Sequence, residues 1–361
     1  MSDYLERSEE KVKELVSGDD VTIMAFETSC DETACAVVKN GREVLGNSVY
    51  TQIAIHREFG GVVPEIASRN HVAKISSVAE DALSQAGIGY DGIDAVAVTC
   101  GPGLVGALLT GVAFAKGLAF ALDKPLIPVN HMEGHISANY ITYKDLEPPF
   151  ICLVVSGGHT AILNVTAHGS YRELGTTRDD AAGEAVDKIA RVLGLPYPGG
   201  PSLEKLAIDG DPHKYEFPRV FKGETHLDFS FSGMKTAAIN LIRKLEQKGG
   251  NYRKEDVAAS FQDAVMSSLI RNATEAVRRE NGTKLVLAGG VCANSVLRKK
   301  ALEAAGELGI EVLFPELRYC TDNAAMIASA AYFSMKHGPA GLGLNAYPAM
   351  GTTDPCPKGT E

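Results

Sequence analysis

The fold is decided by residues 21–50, VTIMAFETSCDETACAVVKNGREVLGNSVY. Short apolar runs alternate here with polar turns, which is typical of successive β-strands. Asn40-Gly41 is a strong hairpin dipeptide between two such runs, so the strands on either side of it are expected to be antiparallel. The stretch therefore predicts three strands, over residues 21–26, 34–39 and 42–50.

The same order recurs in FICLVVSGGHTAILNVTAHGSYRELG, residues 150–175, where His168-Gly169 marks the second hairpin. Helical spacing follows over residues 180–193, and further strands are predicted at 95–99, 125–129, 284–288 and 311–314. We interpret this recurrence as an internal duplication of a β-β-β-α unit. The predicted fold class is α/β with two duplicated lobes, which would meet at a cleft suited to a ligand.

Length and composition favour a globular protein of about two domains at ~150 residues each. The chain has 361 residues, of which 45% are apolar and 22% charged. The net charge of −10 weighs against a free-standing nucleic-acid binder, which usually carries a basic face. Seven cysteines without a CxxC pair predict neither a disulfide framework nor a thiolate zinc site, and a reducing cytoplasm is expected.

Two segments bear on targeting and membranes. Residues 1–20 are acidic, so a secretory signal or transit peptide is not expected there. Residues 104–122 are almost wholly apolar but contain Lys116. A lysine at mid-bilayer costs roughly 2.5–3.5 kcal/mol, so we predict a buried helix and no membrane span.

A histidine pair is the first candidate for chemistry. In NHMEGHISA, residues 130–138, Asn130 suits a helix N-cap. His131 and His135 would then lie four residues apart on one helix face, where two imidazoles can chelate a divalent metal. The alternative is two unrelated surface histidines. Position 132 is Met, whereas a zinc protease of the HExxH type has its general-base Glu there.

Two acidic residues lie in turns that precede or follow predicted elements. Asp322 in Cys320-Thr321-Asp322-Asn323 is either the N-cap of the last long helix or the carboxylate of a two-histidine, one-carboxylate site. That ligand set suits non-haem iron, with zinc also possible. Asp31 follows the first strand and either orients or deprotonates a nucleophile, or is only a turn residue.

Glycine turns form a third group of candidates. Ser156-Gly157-Gly158 follows an apolar strand, and its backbone N–H groups can approach an anion, although an ordinary hairpin turn would look the same. Gly289-Gly290 leads to Asn294, which suits either an adenosine or ribose contact or a packing turn. Asp187 falls one helical turn after Gly183 and could bond ribose or substrate hydroxyls.

Taken together, these motifs resemble the bacterial tRNA threonylcarbamoyladenosine transferase family, once described as O-sialoglycoprotein endopeptidases. The resemblance spans about residue 21 to residue 353 and rests on seven motifs in order: ETSCDETACAV, GPGLVGALLTG, NHMEGHISA, LVVSGGHT, DDAAGEAVDKIARVLGLPYPGGP, FSFSGMKTA and AGGVCANSVLR. It implies an actin-like/sugar-kinase (ASKHA) fold of two lobes. We expect an acidic helical extension over residues 1–20, a first lobe over 21–130 with a C-terminal helix 322–353 packing near it, and a second lobe over 131–321.

The resemblance also implies roles for individual residues. The implied metal ligands are His131, His135 and Asp322, holding one divalent ion per subunit, most often iron (Fe²⁺), with zinc possible. The implied substrate contacts are Val154, Val155, Ser156, Gly157, Gly158, Asp187, Gly200 and Asn294. Asp31 matches an acidic residue of the family that is expected to be catalytic.

The implied reaction moves a threonylcarbamoyl group from threonylcarbamoyl-AMP to the exocyclic amine of the adenosine next to the anticodon, in tRNAs that read codons beginning with A. AMP is released. A non-catalytic paralogue and a small ATPase are the expected partners, with no membrane. An ATPase or kinase of the same fold would not explain two histidines and an aspartate converging on the cleft. A metalloprotease would lack its base at position 132, and a non-catalytic paralogue should lack the histidine pair.

Overall fold

The computed structural model describes residues 2–218, 226–249 and 251–359, which form two compact units. Unit 1 comprises Met1–Ile55, Val62–Glu147 and Pro315–Glu361, and unit 2 comprises His56–Gly61 and Pro148–Phe314. The strands are β1 Thr22–Glu27, β2 Glu32–Lys39, β3 Glu43–Thr51, β4 Ala95–Gly101, β5 Leu126–Asn130, β6 Phe150–Val155, β7 Thr160–Ala167, β8 Ser170–Thr176, β9 Lys284–Ala288 and β10 Glu311–Leu313. The α-helices are α1 Ser2–Ser17, α2 Ile53–Arg57, α3 Pro64–Ala86, α4 Val105–Ala121, α5 His131–Thr142, α6 Ala182–Val192, α7 Gly199–Ala207, α8 Ser232–Gln247, α9 Lys254–Arg279, α10 Ser295–Leu308 and α11 Ala324–Ser334.

The predicted duplication is confirmed by the sheet topology. The sheet of unit 1 has the order β3-β2-β1-β4-β5, and that of unit 2 has the order β10-β9-β6-β7-β8. In each sheet the first three strands of the repeat are antiparallel, and the two later strands are parallel to the first. The two units therefore repeat one topology, as the recurring sequence pattern indicates.

The hairpin that sets the first sheet lies where the sequence predicts it. Asn40 and Gly41 both adopt positive φ, 51° and 65°, as a two-residue turn between antiparallel strands requires. The Asn40 side-chain oxygen accepts a hydrogen bond from the Val21 backbone nitrogen at 2.8 Å, which ties the turn to the start of β1. The local sequence therefore fixes the turn, and the β2–β3 register shifts once beyond it, between Val37 and Val38.

The core of unit 1 has one apolar layer on each face of its sheet. Ile23 and Ala25 of β1 belong to the layer that also contains side chains of α5 and α11, whereas Met24 and Phe26 belong to the layer with α3 and α4. This division follows from the two-residue period of a strand. Because both faces are covered, β1 is buried along its whole length, and the polar residue at its end, Glu27, is buried with it.

The apolar helix α4 is packed as expected, on one face of the sheet of unit 1. The Lys116 ammonium donates to the Leu344 carbonyl at 2.9 Å, so its charge has a polar partner within the fold. Across residues 2–218, 226–249 and 251–359, no helix is both long enough and apolar enough to cross a bilayer.

The units differ from the predicted domain boundaries in two places. The sequence predicts that residues from 131 onward belong to the second lobe, but helix α5 belongs to unit 1, because Ala138 and Ile141 pack into the layer formed with α11. The C-terminal helix was expected over 322–353, but α11 ends at Ser334. A short 3₁₀ turn follows, and then Gly338 at φ 93° precedes a proline, a pair that cannot continue a helix.

The N-terminal extension is helical, as expected, and α1 covers Ser2–Ser17 of it. Tyr4 is 3% exposed and packs in the layer with α3 and α4, whereas Val12 is 4% exposed and packs in the layer with α5 and α11. The Tyr4 hydroxyl donates to the Lys124 carbonyl at 2.7 Å, and Arg7 and Lys11 both bind the Asp123 carboxylate. The extension is therefore docked on unit 1 by apolar and ionic contacts.

Candidate functional site

The histidine pair lies at the start of α5, as the sequence predicts. The Asn130 side-chain oxygen accepts from the Met132 backbone nitrogen at 2.9 Å, which makes Asn130 the N-cap and His131 the first helical residue. His131 and His135 therefore lie one turn apart on the same face, with ring centroids separated by 4.6 Å. Both rings are buried, at 7% and 1% exposure, which excludes the alternative of two surface histidines.

Asp322 lies beside both histidines. Its Oδ1 atom is 3.4 Å from Nε2 of His131 and 3.4 Å from Nε2 of His135. The N-cap of α11 is Asn323, whose side-chain oxygen accepts from the Met326 nitrogen at 3.0 Å, so the N-cap alternative for Asp322 is wrong. One ligand atom from each of the three residues lies within 4.8 Å of the others. The three side chains could hold a metal ion, and the donor set of two imidazoles and a carboxylate suits a divalent transition metal.

Glu27 positions the first histidine. Its carboxylate is fully buried and accepts hydrogen bonds from His131 Nδ1 at 2.9 Å, Thr99 Oγ1 at 2.6 Å and the Ser29 nitrogen at 2.5 Å. Because an ionised carboxylate only accepts, Nδ1 of His131 carries a proton that it donates to Glu27, and Nε2 is the ring atom that faces Asp322. Carboxylate–histidine pairs of this kind orient the ligands of metal sites.

The electrostatics of the site favour a positive charge between these acids. Burial alone raises the pKa of Glu27, but the attraction of His131 and its hydrogen bond outweigh burial, so the pKa lies below its usual value. Burial alone lowers the pKa of His131, but the charges of Glu27 and Asp322 hold that pKa well above its usual value. An environment that stabilises imidazolium also suits a metal cation.

Asp31 lies in the turn between β1 and β2 and is 6% exposed. Its neighbour Glu32 is a second acid, at the start of β2. Burial raises the pKa of Glu32, and the negative charges of Asp31 and Asp322 raise it further, to about 9. The structure therefore brings Asp31 and Asp322 into one group of interacting acids around Glu32. The motif ETSCDET predicts the cluster but not its arrangement.

A histidine that no sequence motif indicates holds this turn. His71 of α3 is fully buried, and its Nε2 lies 2.9 Å from the Cys30 carbonyl oxygen and its Nδ1 2.8 Å from Thr33 Oγ1. Since a carbonyl oxygen only accepts, Nε2 donates to Cys30 and Nδ1 accepts from the Thr33 hydroxyl. No local signal in the sequence of α3 indicates this long-range contact.

The expected substrate loop lies at the end of β6 in unit 2. Val154 and Val155 are buried, whereas Gly157 and Gly158 are exposed, with open space where a Cβ atom would lie. A Cβ atom on Gly289, which has φ 92°, would lie 2.4 Å from the Val155 carbonyl oxygen, so the glycine turn after β9 packs directly on this loop. The backbone of Gly157 and Gly158 is therefore exposed, while the start of the loop at Val155 is closely packed.

The other expected substrate residues are also in unit 2, and each has a partner within it. Asp187 Oδ1 accepts from the Gly200 nitrogen at 3.0 Å, so these two residues are in direct contact. Asn294 caps α10 by accepting from the Leu297 nitrogen at 3.0 Å, and its amide donates to Gln262 at 3.1 Å. Asn294 is therefore the N-cap of α10, and its role toward a ligand stays a prediction.

Solved structures with the same architecture support the fold class. Full-length HypF, crystallised in a phosphate- and nucleotide-bound form, has a TM-score of 0.58 and 15% sequence identity, over 88% of this chain and 46% of that chain. Component A of the (R)-2-hydroxyglutaryl-CoA dehydratase of Acidaminococcus fermentans has a TM-score of 0.50 and 17% identity, over 87% and 98%. The fold is that of the actin-like/sugar-kinase class.

Sequence comparison identifies the family. The profile of TsaD, tRNA N6-adenosine threonylcarbamoyltransferase, matches residues 43–329. The tRNA N6-adenosine threonylcarbamoyltransferase of Clostridium perfringens (strain SM101 / Type A) is 56% identical over 329 residues, covering 91% of this chain and 97% of that protein. The enzyme of Clostridium botulinum (strain Kyoto / Type A2) is 54% identical over 331 residues, with the same coverage. The chain belongs to the tRNA N6-adenosine threonylcarbamoyltransferase family and is a transferase.

Proposed function

We propose that this enzyme transfers the threonylcarbamoyl group of threonylcarbamoyl-AMP to N6 of the adenosine next to the anticodon, in tRNAs that read codons beginning with A. Family membership supports the reaction class. The observation that carries the proposal is the convergence of His131, His135 and Asp322, since a kinase or ATPase of this fold does not need such a group. The same convergence weighs against a non-catalytic paralogue.

The proposed metal ligands are these three side chains, and the proposed ion is Fe²⁺, with Zn²⁺ as the alternative. Glu27 binds Nδ1 of the His131 ring, which leaves Nε2 as the atom for the metal; a bound ion would replace the Nε2 proton and take the neutral imidazole as its ligand. When bound, the ion would act as a Lewis acid on a carbonyl or carboxylate oxygen of the donor substrate.

The proposed contacts to the donor are in unit 2. The exposed backbone at Gly157 and Gly158 suits the phosphate of an adenylate, because N–H groups of a glycine turn can approach an anion closely. Asp187, Gly200 and Asn294 would bind its ribose and base. The bond between Asp187 and the Gly200 nitrogen holds the first two residues together before a ligand arrives.

The reaction joins the adenosine N6 to the carbamoyl carbon and breaks the bond from that carbon to the phosphate oxygen of AMP. AMP leaves with the electron pair, and the amine loses one proton. A neutral aryl amine is a weak nucleophile, so positioning and stabilisation of developing charge supply most of the rate. Asp31, held in a turn that His71 clamps, would accept the proton.

The charge of the chain supports a shared tRNA site. The net charge is −10, and several basic side chains on α9 and α10 are engaged with acids of the same unit, including Arg279 with Glu275 and Lys300 with Asp263. The expected non-catalytic paralogue and small ATPase would then contribute to tRNA binding, in the cytoplasm. Weak tRNA binding by the isolated chain is consistent with this proposal.

The test is a reconstituted transfer reaction. The chain, its expected partners, threonylcarbamoyl-AMP and unmodified tRNA are incubated, and the nucleosides are analysed by mass spectrometry. We expect modified adenosine with the parent chain and with His337→Ala, a control at an exposed histidine, and none with His131→Ala. No modified adenosine with active partners would refute the transfer. ATP hydrolysis by the chain alone would favour the ATPase alternative.

A further inference from the structure

Two cysteine sulfurs lie side by side in unit 1, although 256 positions separate them in the chain. Cys100 Sγ and Cys356 Sγ are 3.0 Å apart, and the Met350 sulfur is 4.0 Å from Cys100 Sγ. Both cysteines are thiols in this structure; Cys100 is fully buried in β4 and Cys356 is partly exposed. We propose that Cys100 and Cys356 form an intrachain disulfide that fastens residues 340–359, the C-terminal segment, to β4.

The backbone of the C-terminal segment holds the two thiols in place. The Tyr347 nitrogen donates to the carbonyl of Cys100 itself at 2.7 Å, and the Ala340 nitrogen donates to the Leu126 carbonyl at 2.7 Å. A Cβ atom on Gly101 would lie 2.0 Å from the Tyr347 carbonyl oxygen, so the segment packs on the end of β4 with no gap. Forming a bond of about 2.05 Å shortens the separation of the two sulfurs, now 3.0 Å, by about 1 Å.

The segment also contacts the residue that caps the metal-site helix. The Asn130 amide donates to the Gly351 and Asp354 carbonyl oxygens at 3.0 and 3.1 Å, while its oxygen caps α5. Thr99, next to Cys100, donates to Glu27. A disulfide at this place would keep the segment on Asn130 and on the strand end that supports the candidate metal site.

The chemistry requires a two-electron oxidant, and a low-molecular-weight disulfide can supply it. The Cys356 thiolate attacks one sulfur of the small disulfide and releases one small thiol, which gives a mixed disulfide. The Cys100 thiolate then attacks Cys356 Sγ and releases the second small thiol. Two protein thiols are oxidised and one small disulfide is reduced to two thiols, so atoms and electrons balance.

Without an oxidant the pair stays reduced, and its reaction is slow near neutral pH. The hydrogen bond with Cys100 first, and then burial and the nearby charge of Glu133, raise the pKa of the Cys356 thiol well above its usual value. The thiolate, which is the attacking species, is therefore scarce at neutral pH. Oxidation is best tested at mildly alkaline pH.

The experiment uses the full chain and excess oxidised glutathione at about pH 8.5. Denaturing alkylation and peptide mapping then count and locate the thiols. We expect free thiols to fall from seven to five, with a peptide pair joined through Cys100 and Cys356 that dithiothreitol releases. Because the closed loop is long, Tm should rise by about 5 °C or more.

Two variants make the result specific. Cys356→Ser should abolish both the cross-linked peptide and the rise in Tm. Cys152→Ala, which removes a buried thiol of β6 in unit 2, should retain both. A thiol count that stays at seven, a stable glutathione adduct on Cys356, or a link between other cysteines would overturn the proposal. A Cys100–Cys356 link that leaves Tm unchanged would show that the segment is not fastened, and would overturn it as well.

Discussion

Replacing Glu27 by Gln tests whether this buried carboxylate supports the candidate metal site. The substitution keeps the shape of the side chain but removes its charge. Glutamine has a single acceptor oxygen, whereas Glu27 receives donors from His131, Thr99 and Ser29. At least one of these donors would face the NH₂ group of the amide.

The magnitude follows from these contacts. A hydrogen bond to a charged group contributes about 1.5–3 kcal/mol and a neutral one about 0.5–1.5 kcal/mol, so the bond to His131 should weaken by about 1–1.5 kcal/mol. Loss of such an outer partner typically lowers metal affinity about 10–100-fold. That range corresponds to about 1.4–2.7 kcal/mol of binding free energy. We therefore expect Glu27→Gln to weaken metal binding without abolishing it, while His131→Ala abolishes it.

The assay is a titration of the metal-free chain with Fe²⁺ under anaerobic conditions and with Zn²⁺, followed by calorimetry. Asp256→Asn is the matched control, because Asp256 is also a buried carboxylate, 7% exposed, that accepts from a backbone nitrogen, but it lies on α9 of unit 2. Its metal affinity should equal that of the parent. If Glu27→Gln folds normally and binds metal as tightly as the parent chain, Glu27 does not orient His131 for a metal.

Three further substitutions test the docked extension, the glycine turn and the acidic cluster. Tyr4→Phe removes the bond to the Lys124 carbonyl and should lower the free energy of unfolding by about 1 kcal/mol in a denaturant titration, so an unchanged midpoint would contradict the role of this contact. Gly289 has φ 92°, and Gly289→Ala places a methyl group 2.4 Å from the Val155 carbonyl oxygen. This change should raise the KM for threonylcarbamoyl-AMP and leave metal affinity unchanged. A loss of metal affinity would show that the effect is not confined to this loop. Glu32 has a pKa of about 9 in the folded chain and a usual pKa of 4.5. Between these two pH values the folded chain holds a proton that the unfolded chain lacks, so the free energy of unfolding falls as pH rises from 4.5 to about 9. Glu32→Gln should flatten this fall in unfolding free energy measured between about pH 5 and 9, and an equally steep fall in the variant would refute the assignment.

Much of the fold could be predicted because its signals are local. The hairpin at Asn40-Gly41 and the cap at Asn130 depend on residues within a few positions of one another. The duplication was visible because both repeats keep the same order of apolar runs and turns. The long helix α9 is not among the predicted elements, although Asn281, at φ 52°, and Gly282 follow its end.

The sequence predicts less of the candidate site than of the fold. The spacing of His131 and His135 indicated a shared helix face, but the role of Asp322 stayed open, because an acid before a helix serves equally well as a cap or as a ligand. The structure resolves this: Asn323 caps α11, and the Asp322 carboxylate lies 3.4 Å from both imidazoles. Glu27 and His71 were found only through contacts that cross tens of residues of chain.

The sequence alone therefore determined the strands, the repeat, the helix start at His131 and the family, since each depends on short-range patterns or on their order along the chain. Tertiary structure alone decided which side chains meet. Packing of α5 and α11 on one face of the sheet brings position 322 to position 131. Hydrogen-bond partners and burial then fix which nitrogen of His131 faces the site, because a buried ring donates to whichever acceptor the fold supplies.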